Sequence, residues 1–400
     1  MIVGVWSHFG GAWRIEAGRR YGSCAGDVES GPATNTGVIT NRATGLTAGL
    51  SIRPARATID SAPRLTAVLL SAAVKRGLAG ITMLAVALCA EAGCRKRTTD
   101  AIAVIPKGTT HEFWKSVHAG AEKAGQELGV NIIWKGPLRE DDREDQIKVV
   151  ETFINMRVKA IVMAPLDDTA LVPVVTDAVR AGIPVIAFDS SIKTDEIVSF
   201  VATDNYRGGK LAGDQLARLL GGKGKVMMLR YAEGSASTAE RERGFLDAIA
   251  AHKEIEVVSA NQYGGVTTES AFKVSENLLA SHKGPGGLTV QGIFCPNEST
   301  AFGMLRALED GGFAGKVAFV GFDSSPKLVD AMAKGQMDAT VVQDPIKMGY
   351  LALKAMVEHL QGKPVEKRID TGATLITRDT MSSPAAQALL NPDFKRWLKE

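Results

Sequence analysis

Short apolar runs alternate with amphipathic stretches through most of the chain from residue 99 onward. Residues 101–105 form an apolar run of the kind found in buried strands, and residues 111–128 follow with apolar side chains three and four positions apart. The same alternation then repeats, with connections of only a few residues. Strict strand–helix alternation of this kind predicts an α/β protein built from doubly wound parallel sheets with right-handed crossovers.

The apolar runs typical of strands and the three-to-four-residue spacing typical of helices predict the remaining elements of both halves of the chain. The predicted strands are 101–105, 130–134, 160–164, 185–188, 197–202, 225–229, 255–260, 290–294, 317–322 and 339–342. The predicted helices are 111–128, 142–156, 169–181, 206–220, 238–251, 268–281, 299–309 and 345–361.

Two of the predicted strands end in the same four residues. Residues 185–191 read VIAFDSS and residues 317–325 read VAFVGFDSS. In open α/β sheets, ligands bind in the crevice beyond the carboxyl ends of the strands. Asp189 and Asp323 could accept hydrogen bonds from vicinal hydroxyls there, although Asp before two serines is also common in turns and helix caps. The recurrence favours two lobes that each point one carboxylate into a shared cleft.

A chain of 400 residues is longer than one hydrophobic core usually supports, so two lobes are expected. The predicted N-terminal lobe takes residues 100–204 and 344–371, and the predicted C-terminal lobe takes 205–343 and 372–380. Three crossings, near Asp204, Asp344 and Thr371, would form the hinge between the lobes. The remaining tail, 381–400, would be an arm packed on the surface.

The first 94 residues have a different character from the rest. Residues 1–74 show no sustained period and are predicted to be a disordered or non-native extension. Residues 75–94 begin with Lys75-Arg76, continue through fourteen uncharged, mostly apolar residues and end at Cys94. A basic start before a short apolar core is typical of a signal peptide, whereas a short anchor or buried helix is the alternative. We therefore expect a periplasmic protein, or an exported one that is lipid-anchored through Cys94.

The net charge of +3 belongs to the N-terminal region and not to the body. Of 47 Lys and Arg and 44 Asp and Glu, residues 1–94 hold nine and five, which leaves 38 and 39 and a net charge of −1 for residues 95–400. A near-neutral body has no electrostatic footprint for nucleic acid.

The inventory of reactive residues offers little for catalysis. The six histidines lack metal-ligand spacing, no Gly-x-Ser-x-Gly motif is present, and the four cysteines form no CxxC pair. The acidic stretch 140–145, EDDRED, is interpreted as a solvated helix start, and Gly221-Gly222-Lys223-Gly224 precedes a strand and is therefore no phosphate loop. We predict no catalytic residue, no metal site and no cofactor, and hence no enzyme.

Five further residues are candidates for ligand contact. Phe113 and Trp114 are adjacent on the first helix and point about 100° apart, so one can pack inward while the other offers a flat face to a sugar ring. Asn297 and Gln343 follow strands, and an amide both donates to and accepts from a hydroxyl, although a turn or cap role is the alternative for each. Arg241 could fork onto sugar oxygens, or could lie on an exposed helix beside Glu240 or Glu242.

In their order along residues 100–378, these motifs resemble those of ribose-type periplasmic binding proteins. The resemblance rests on Phe113-Trp114, PVIAFD at 184–189, ATDN at 202–205, RERGF at 241–245 and VGFDSSP at 320–326. It implies a type I periplasmic-binding fold, with two lobes joined by a three-crossing hinge and a sugar held between them. Carried over residue by residue, it implies ligand contacts from Phe113, Trp114, Asp189, Asn297, Asp323 and Gln343. Arg241 takes the role of the family's ligand-binding arginine if a small gap is allowed, because the ungapped position is Ala239. Ala164, Ser190 and Ala239 depart from the family pattern, so the resemblance implies the class and not ribose itself.

The implied function is a solute-binding receptor for a monosaccharide-like ligand. Its partners would be a sugar or polyol and the permease of an ABC importer in the inner membrane, and the protein would be a monomer. A sugar-sensing regulator and a chemoreceptor partner share the same fold and are the alternatives. A regulator that binds DNA would need an N-terminal helix-turn-helix, where this chain has a signal-like apolar segment instead.

Overall fold

A computed structural model describes residues 99–398 of the chain, so the predictions made for 1–74 and 75–94 lie outside the described residues. The strands are β1 Thr99–Ile105, β2 Ile132–Trp134, β3 Val158–Met163, β4 Val185–Phe188, β5 Phe200–Ala202, β6 Lys223–Arg230, β7 Glu254–Tyr263, β8 Lys283–Gly284, β9 Gly287–Leu288, β10 Gly292–Phe294, β11 Ala318–Phe322, β12 Ala339–Gln343, β13 Arg368–Asp370 and β14 Ala373–Thr377. The helices are α1 Glu112–Leu128, α2 Arg143–Met156, α3 Val172–Arg180, α4 Asn205–Leu219, α5 Ala236–Ala250, α6 Thr268–Ser281, α7 Glu298–Asp310, α8 Pro326–Ala333, α9 Pro345–Leu360, α10 Pro384–Leu390 and α11 Lys395–Leu398.

Two six-stranded sheets organise these elements. The first has the order β13-β5-β4-β3-β1-β2 and is parallel throughout. The second has the order β14-β12-β11-β10-β6-β7 and is parallel except for β14, which runs antiparallel to β12. Apolar clusters cover both faces of each sheet, which is why the strands read as nearly continuous apolar runs. The predicted α/β architecture with two parallel-sheet lobes is confirmed.

The chain passes between the two sheets three times. It leaves the first sheet after β5, returns after β12 through α9, which packs on α1, and adds β13 to the first sheet before β14 joins the second. Because the carboxyl ends of β1, β4, β10, β11 and β12 meet between the sheets, the side chains that follow them can converge. The lobe boundaries given above stay a prediction.

Close helix packing in the second lobe places the residues of α5. A Cβ atom on Gly209 of α4 would lie 2.0 Å from the carbonyl oxygen of Arg241, and one on Gly244 of α5 would lie 2.0 Å from that of Tyr206. Only glycine permits this approach of the two backbones. The contact holds the first turns of α5, and with them Arg241, against the end of the second sheet.

The structure adds elements that these sequence patterns did not predict. The β8–β9 hairpin, α8, β13 and β14 were not expected, and β5 is shorter than the predicted strand 197–202. The tail is more than a surface arm, because it forms α10 and α11 and buries Ala386 and Leu390 in the core of the second lobe. Within residues 99–398 no helix combines the length and the apolar character needed to cross a membrane.

Candidate functional site

The two FDSS segments adopt the same unusual backbone conformation where their strands end. Asp189 has a φ of 60° and Asp323 a φ of 68°, both in the left-handed region that few residues other than glycine enter. Aspartate tolerates this region better than most residues, and such conformations cluster at functional sites. Both side chains are buried, at 4% and 7% exposure. The cap of the following helix α8 is Ser325, so Asp323 is not the capping residue.

Asp189 forms a buried ion pair with a lysine that the sequence did not single out. Lys107 lies in the connection between β1 and α1, is 2% exposed and places its Nζ 2.9 Å from Asp189 Oδ2. The same ammonium donates to Ser237 Oγ at 3.0 Å and to Ser235 Oγ at 3.4 Å, across the cleft in the second lobe. Ser190 Oγ also donates to Ser237 Oγ, at 2.9 Å. These contacts join the two lobes in a closed arrangement.

Asp323 is held by one amide and one guanidinium. It accepts a hydrogen bond from Gln343 Nε2 at 2.7 Å and lies 3.6 Å from Arg241 Nη1. Burial raises the pKa of Asp323, and the neighbouring Arg241 and Gln343 oppose that rise. The Oε1 atom of Gln343 is buried without any hydrogen-bond partner. An orphaned acceptor in such a position is suited to a donor from a ligand.

Arg241 faces the cleft and does not lie on an exposed helix surface. It is 2% exposed, donates to Asn205 Oδ1 at 2.8 Å and to the carbonyl oxygen of Pro296 at 3.0 Å, and stacks on the ring of Phe322. The surface pairing with Glu240 that was the alternative for Arg241 is made by Arg243 instead.

Phe113 and Trp114 both border the cleft and meet edge to face. Their ring centroids are 4.9 Å apart at an interplanar angle of 83°. Trp114 is 3% exposed and belongs to the core beneath the first sheet, where it meets Phe188. Phe113 is half-buried, so it has the more accessible of the two rings.

Asn297 has the capping role that was its alternative interpretation. Its Oδ1 accepts hydrogen bonds from the backbone N–H of Thr300 at 3.3 Å and from Thr300 Oγ1 at 2.6 Å, at the start of α7. Its Nδ2 donates to Ser299 Oγ at 3.2 Å. The same residue also lines the cleft.

A second charged cluster centres on Glu140, which the sequence analysis assigned to a solvated helix start. That interpretation is wrong for Glu140: the carboxylate accepts from Trp114 Nε1 and from Tyr231 Oη, both at 2.7 Å, and pairs with His111 Nδ1 at 2.5 Å. Burial disfavours the charged forms of His111 and Glu140, but the attraction between the two opposite charges outweighs the cost of burial. The pKa of His111 is raised to about 9 and that of Glu140 is lowered to about 2.

Glu298 is the remaining carboxyl group of the cleft. It is the first residue of α7, and its Oε2 atom is buried without a hydrogen-bond partner. Burial raises the pKa of Glu298 to about 7, against the opposing charge of His111. The group can therefore be a hydrogen-bond donor or a carboxylate near neutral pH.

All seven residues predicted for the site line one narrow cleft between the sheets. Whether they contact a ligand stays a prediction. The closed cleft leaves about 30 Å³ of free space. Its lining residues are Lys107, His111, Phe113, Trp114, Glu140, Asp189, Tyr231, Ser237, Thr238, Arg241, Asn297, Glu298, Asp323 and Gln343.

Sequence reasoning missed half of these residues, for identifiable reasons. Lys107 and His111 follow β1 at its carboxyl end, so their position after a buried strand was an available signal. Glu140 and Tyr231 reach the cleft from loops whose course depends on the packing of the two lobes.

Within residues 99–398 no cluster of three or more His, Cys, Asp or Glu could hold a metal ion.

The fold and the cleft define a two-lobed solute-binding protein. Residues 102–364 match the family described as periplasmic binding protein domain, and the chain belongs to that family. The predicted family is therefore confirmed.

Two relatives named for sugar binding are matched over most of their length. The chain is 32% identical to the ribose import binding protein of Escherichia coli strain K12 over 294 residues, which are 74% of this chain and 96% of the relative. It is 31% identical to the D-allose-binding periplasmic protein of the same organism, over 64% of this chain and 83% of the relative.

Solved structures agree with these relatives. A solute-binding protein from Agrobacterium vitis with bound D-fucose superposes with a TM-score of 0.69 at 35% identity, covering 72% of this chain and 99% of that one. A carbohydrate transporter solute-binding protein from Agrobacterium radiobacter, in complex with D-arabinose, also gives a TM-score of 0.69, at 33% identity and 73% and 98% coverage. The predicted type I fold is confirmed.

Proposed function

We propose that this protein is the solute-binding component of an ABC importer and captures a monosaccharide between its two lobes. The observation that carries the proposal is the cleft itself, where buried hydrogen-bonding groups from both lobes converge beside two aromatic rings. Relatives named for ribose and allose binding, and related structures holding D-fucose and D-arabinose, support the same class of ligand.

The charges of the cleft favour a neutral sugar over an acidic one. Three cation–carboxylate pairs border it: Lys107 with Asp189 at 2.9 Å, His111 with Glu140 at 2.5 Å and Arg241 with Asp323 at 3.6 Å. Each of these three cations already has its counter-ion and Glu298 adds a fourth carboxyl group, so a uronate carboxylate would enter a cleft with more carboxyl groups than cations. A neutral sugar needs only hydrogen bonds from the charged groups, and such bonds are the strong ones.

In this proposal the predicted residues divide the work of recognition. Asp189 and Asp323 accept hydrogen bonds from sugar hydroxyls, and Gln343 Oε1 accepts another. Arg241 and Asn297 line the second-lobe side. The more accessible ring of Phe113 packs against the C–H face of the sugar, and Trp114 borders the cleft beside it. The contacts of Lys107 with Ser235 and Ser237 must open to admit the ligand and re-form behind it, as in hinge closure.

The location and the transport partner follow from the same proposal. The mature protein would begin at Gly93 or Cys94, after a signal-like segment, and work in the periplasm, free or lipid-anchored through Cys94. It would act as a monomer that presents its closed form to the permease of the importer. Binding without turnover is its proposed activity.

A thermal-shift screen of the full chain against neutral monosaccharides, polyols and uronates tests the proposal. A neutral sugar at a hundred times its dissociation constant should add ~2.7 kcal/mol to the free energy of unfolding. The matching uronate should add little. If uronates stabilise the protein and every neutral sugar and polyol fails, the proposed ligand class is wrong.

A further inference from the structure

A second cavity adjoins the sugar cleft. It has a volume of about 480 Å³, within the range of ordinary small-molecule sites. Phe113, Asp323 and Gln343 line both the cleft and this cavity, which we call the side chamber. These three side chains form the boundary between the two spaces.

The C-terminal tail forms one wall of the side chamber. Leu389, Leu390, Pro392 and Phe394 line it. The tail is fixed to the second lobe through buried Leu390, and Ser324 Oγ donates to the carbonyl oxygen of Leu389 at 3.5 Å.

At its far end the tail reaches the first lobe. Helix α11 packs against α1, where Lys123 Nζ lies 5.7 Å from the ring of Trp397. The tail thus contacts both lobes and encloses the chamber between them.

The chemistry of the chamber differs from that of the cleft. The cleft is bordered mainly by charged and amide side chains, whereas most of the chamber wall is apolar: Phe113, Pro326, Val342, Pro345, Leu389 and Phe394. The polar side chains that line the chamber include Ser116, Ser325 and Asn391, so a second sugar ring could satisfy only some of its hydroxyls there, and each buried hydroxyl left without a partner is costly. An apolar group gains free energy in proportion to the area it buries.

Gln343 stands at the boundary between the two spaces. Its Nε2 is bound to Asp323, while its buried Oε1 has no partner. A sugar hydroxyl at the edge of the cleft could donate to this oxygen, which would leave the substituent on the next sugar carbon beside the chamber.

We propose that the side chamber binds the apolar aglycone of a glycoside whose sugar ring occupies the cleft. The natural ligand is then a monosaccharide carrying an aryl or short alkyl group. This inference rests on the proposed function, because it uses the cleft as the sugar site.

Calorimetric titration of the full chain tests the aglycone site. The ligands titrated are D-ribose, D-arabinose and D-fucose, the α- and β-phenyl glycosides of each, and disaccharides of the same sugars. We expect one phenyl glycoside to bind at least ten times more tightly than its free sugar. Phenyl glycosides that bind no better than free sugars would overturn the inference, as would a gain seen only with disaccharides. Free sugars that bind normally in that case leave the proposed function standing, whereas failure of all the probes overturns the inference, and the thermal-shift screen then decides the proposed function.

Variants of the chamber separate the aglycone contact from general affinity. Ser116 is a buried chamber residue on α1 outside the cleft, so Ser116→Leu should fill the space and abolish the phenyl gain while free-sugar affinity stays within twofold. Ser116→Ala is the matched control and should keep the gain. Phe394→Ala, on the tail, should reduce the gain independently of α1. Urea melts of each variant establish that it is folded, and a phenyl gain that survives both Ser116→Leu and Phe394→Ala would refute the chamber as its source.

Discussion

Replacing Asp189 by asparagine separates the charge of this residue from its shape. Asparagine also tolerates a positive φ, so the backbone at 60° can be kept. What is lost is the ion-pair partner of Lys107, whose buried ammonium would keep the hydroxyls of Ser235 and Ser237 and only the electrostatic attraction of Glu140. The side chains of the pair are only 3% and 5% exposed, so solvent screens them little.

The size of the effect follows from the geometry. Two unit charges 2.9 Å apart attract by ~6 kcal/mol at an effective dielectric constant of about 20. Removing one partner of a buried pair typically destabilises by ~3–5 kcal/mol. Because Lys107 keeps Ser237 Oγ at 3.0 Å and Ser235 Oγ at 3.4 Å, we expect the lower end, ~3 kcal/mol.

Urea unfolding of the full chain without ligand measures this loss. Asp189→Asn should lower the midpoint without changing the slope, and Lys107→Met combined with Asp189→Asn should recover most of the stability, since no unpaired charge then remains. An Asp189→Asn variant within ~0.5 kcal/mol of the parent would refute the reasoning, because surface substitutions alone cause changes of that size.

Four further outcomes are expected. Asp323→Asn should weaken sugar binding in calorimetry by roughly one to two orders of magnitude. It should lower apo stability by less than Asp189→Asn does, because Arg241 is 3.6 Å away and keeps its hydrogen bonds to Asn205 and Pro296; normal affinity with a large loss of stability would make Asp323 structural. The pKa of His111 is about 9 in the folded protein against 6.5 in an unfolded chain, so its protonation contributes stability that is complete below pH 6.5 and lost as the pH rises through 9. Urea melts should show this decline in the free energy of unfolding, and His111→Gln should remove it. The pKa of Glu298 is about 7 in the folded protein against 4.5 in an unfolded chain, so between these values the folded state binds a proton that the unfolded state has lost. Stability should therefore fall as the pH rises from 4.5 to 7. A Glu298→Gln variant whose free energy of unfolding changes with pH as steeply as that of the parent in this window would contradict the prediction. Leu390→Ala should cost ~2–5 kcal/mol in urea unfolding, since Leu390 is 3% exposed in the second core, and a near-neutral result would mean that the tail is not packed as described.

Local sequence was enough to predict the architecture and to place the two FDSS aspartates at strand ends that face the cleft. Strand–helix alternation is a short-range pattern, and parallel sheets follow from it because each crossover must return over a helix. The FDSS repeats marked two strand ends, and the carboxyl ends of parallel strands are where ligands bind. For this reason Asp189 and Asp323 could be named before any coordinates were known.

Tertiary structure decided which polar residues became buried partners. EDDRED at 140–145 has the composition of a solvated helix start, yet Glu140 lies under Trp114 and Tyr231 because β1, α1 and the second lobe enclose it. The burial of Lys107 likewise depends on Ser235 and Ser237, which lie 128 and 130 residues further along the chain. Contacts of such separation leave no periodic trace in the sequence.

The tail shows the same division between local and long-range information. Helix α10 begins after the capping residue Ser383, but nothing local indicates that Leu390 enters the second core while Trp397 reaches α1 of the first lobe. Hydrophobic burial is non-directional, so an apolar side chain specifies that it will be covered and not by which surface. The sequence alone therefore determined the sheets and the carboxylates at their ends, and only the packing of two lobes and a tail created the closed cleft and the chamber beside it.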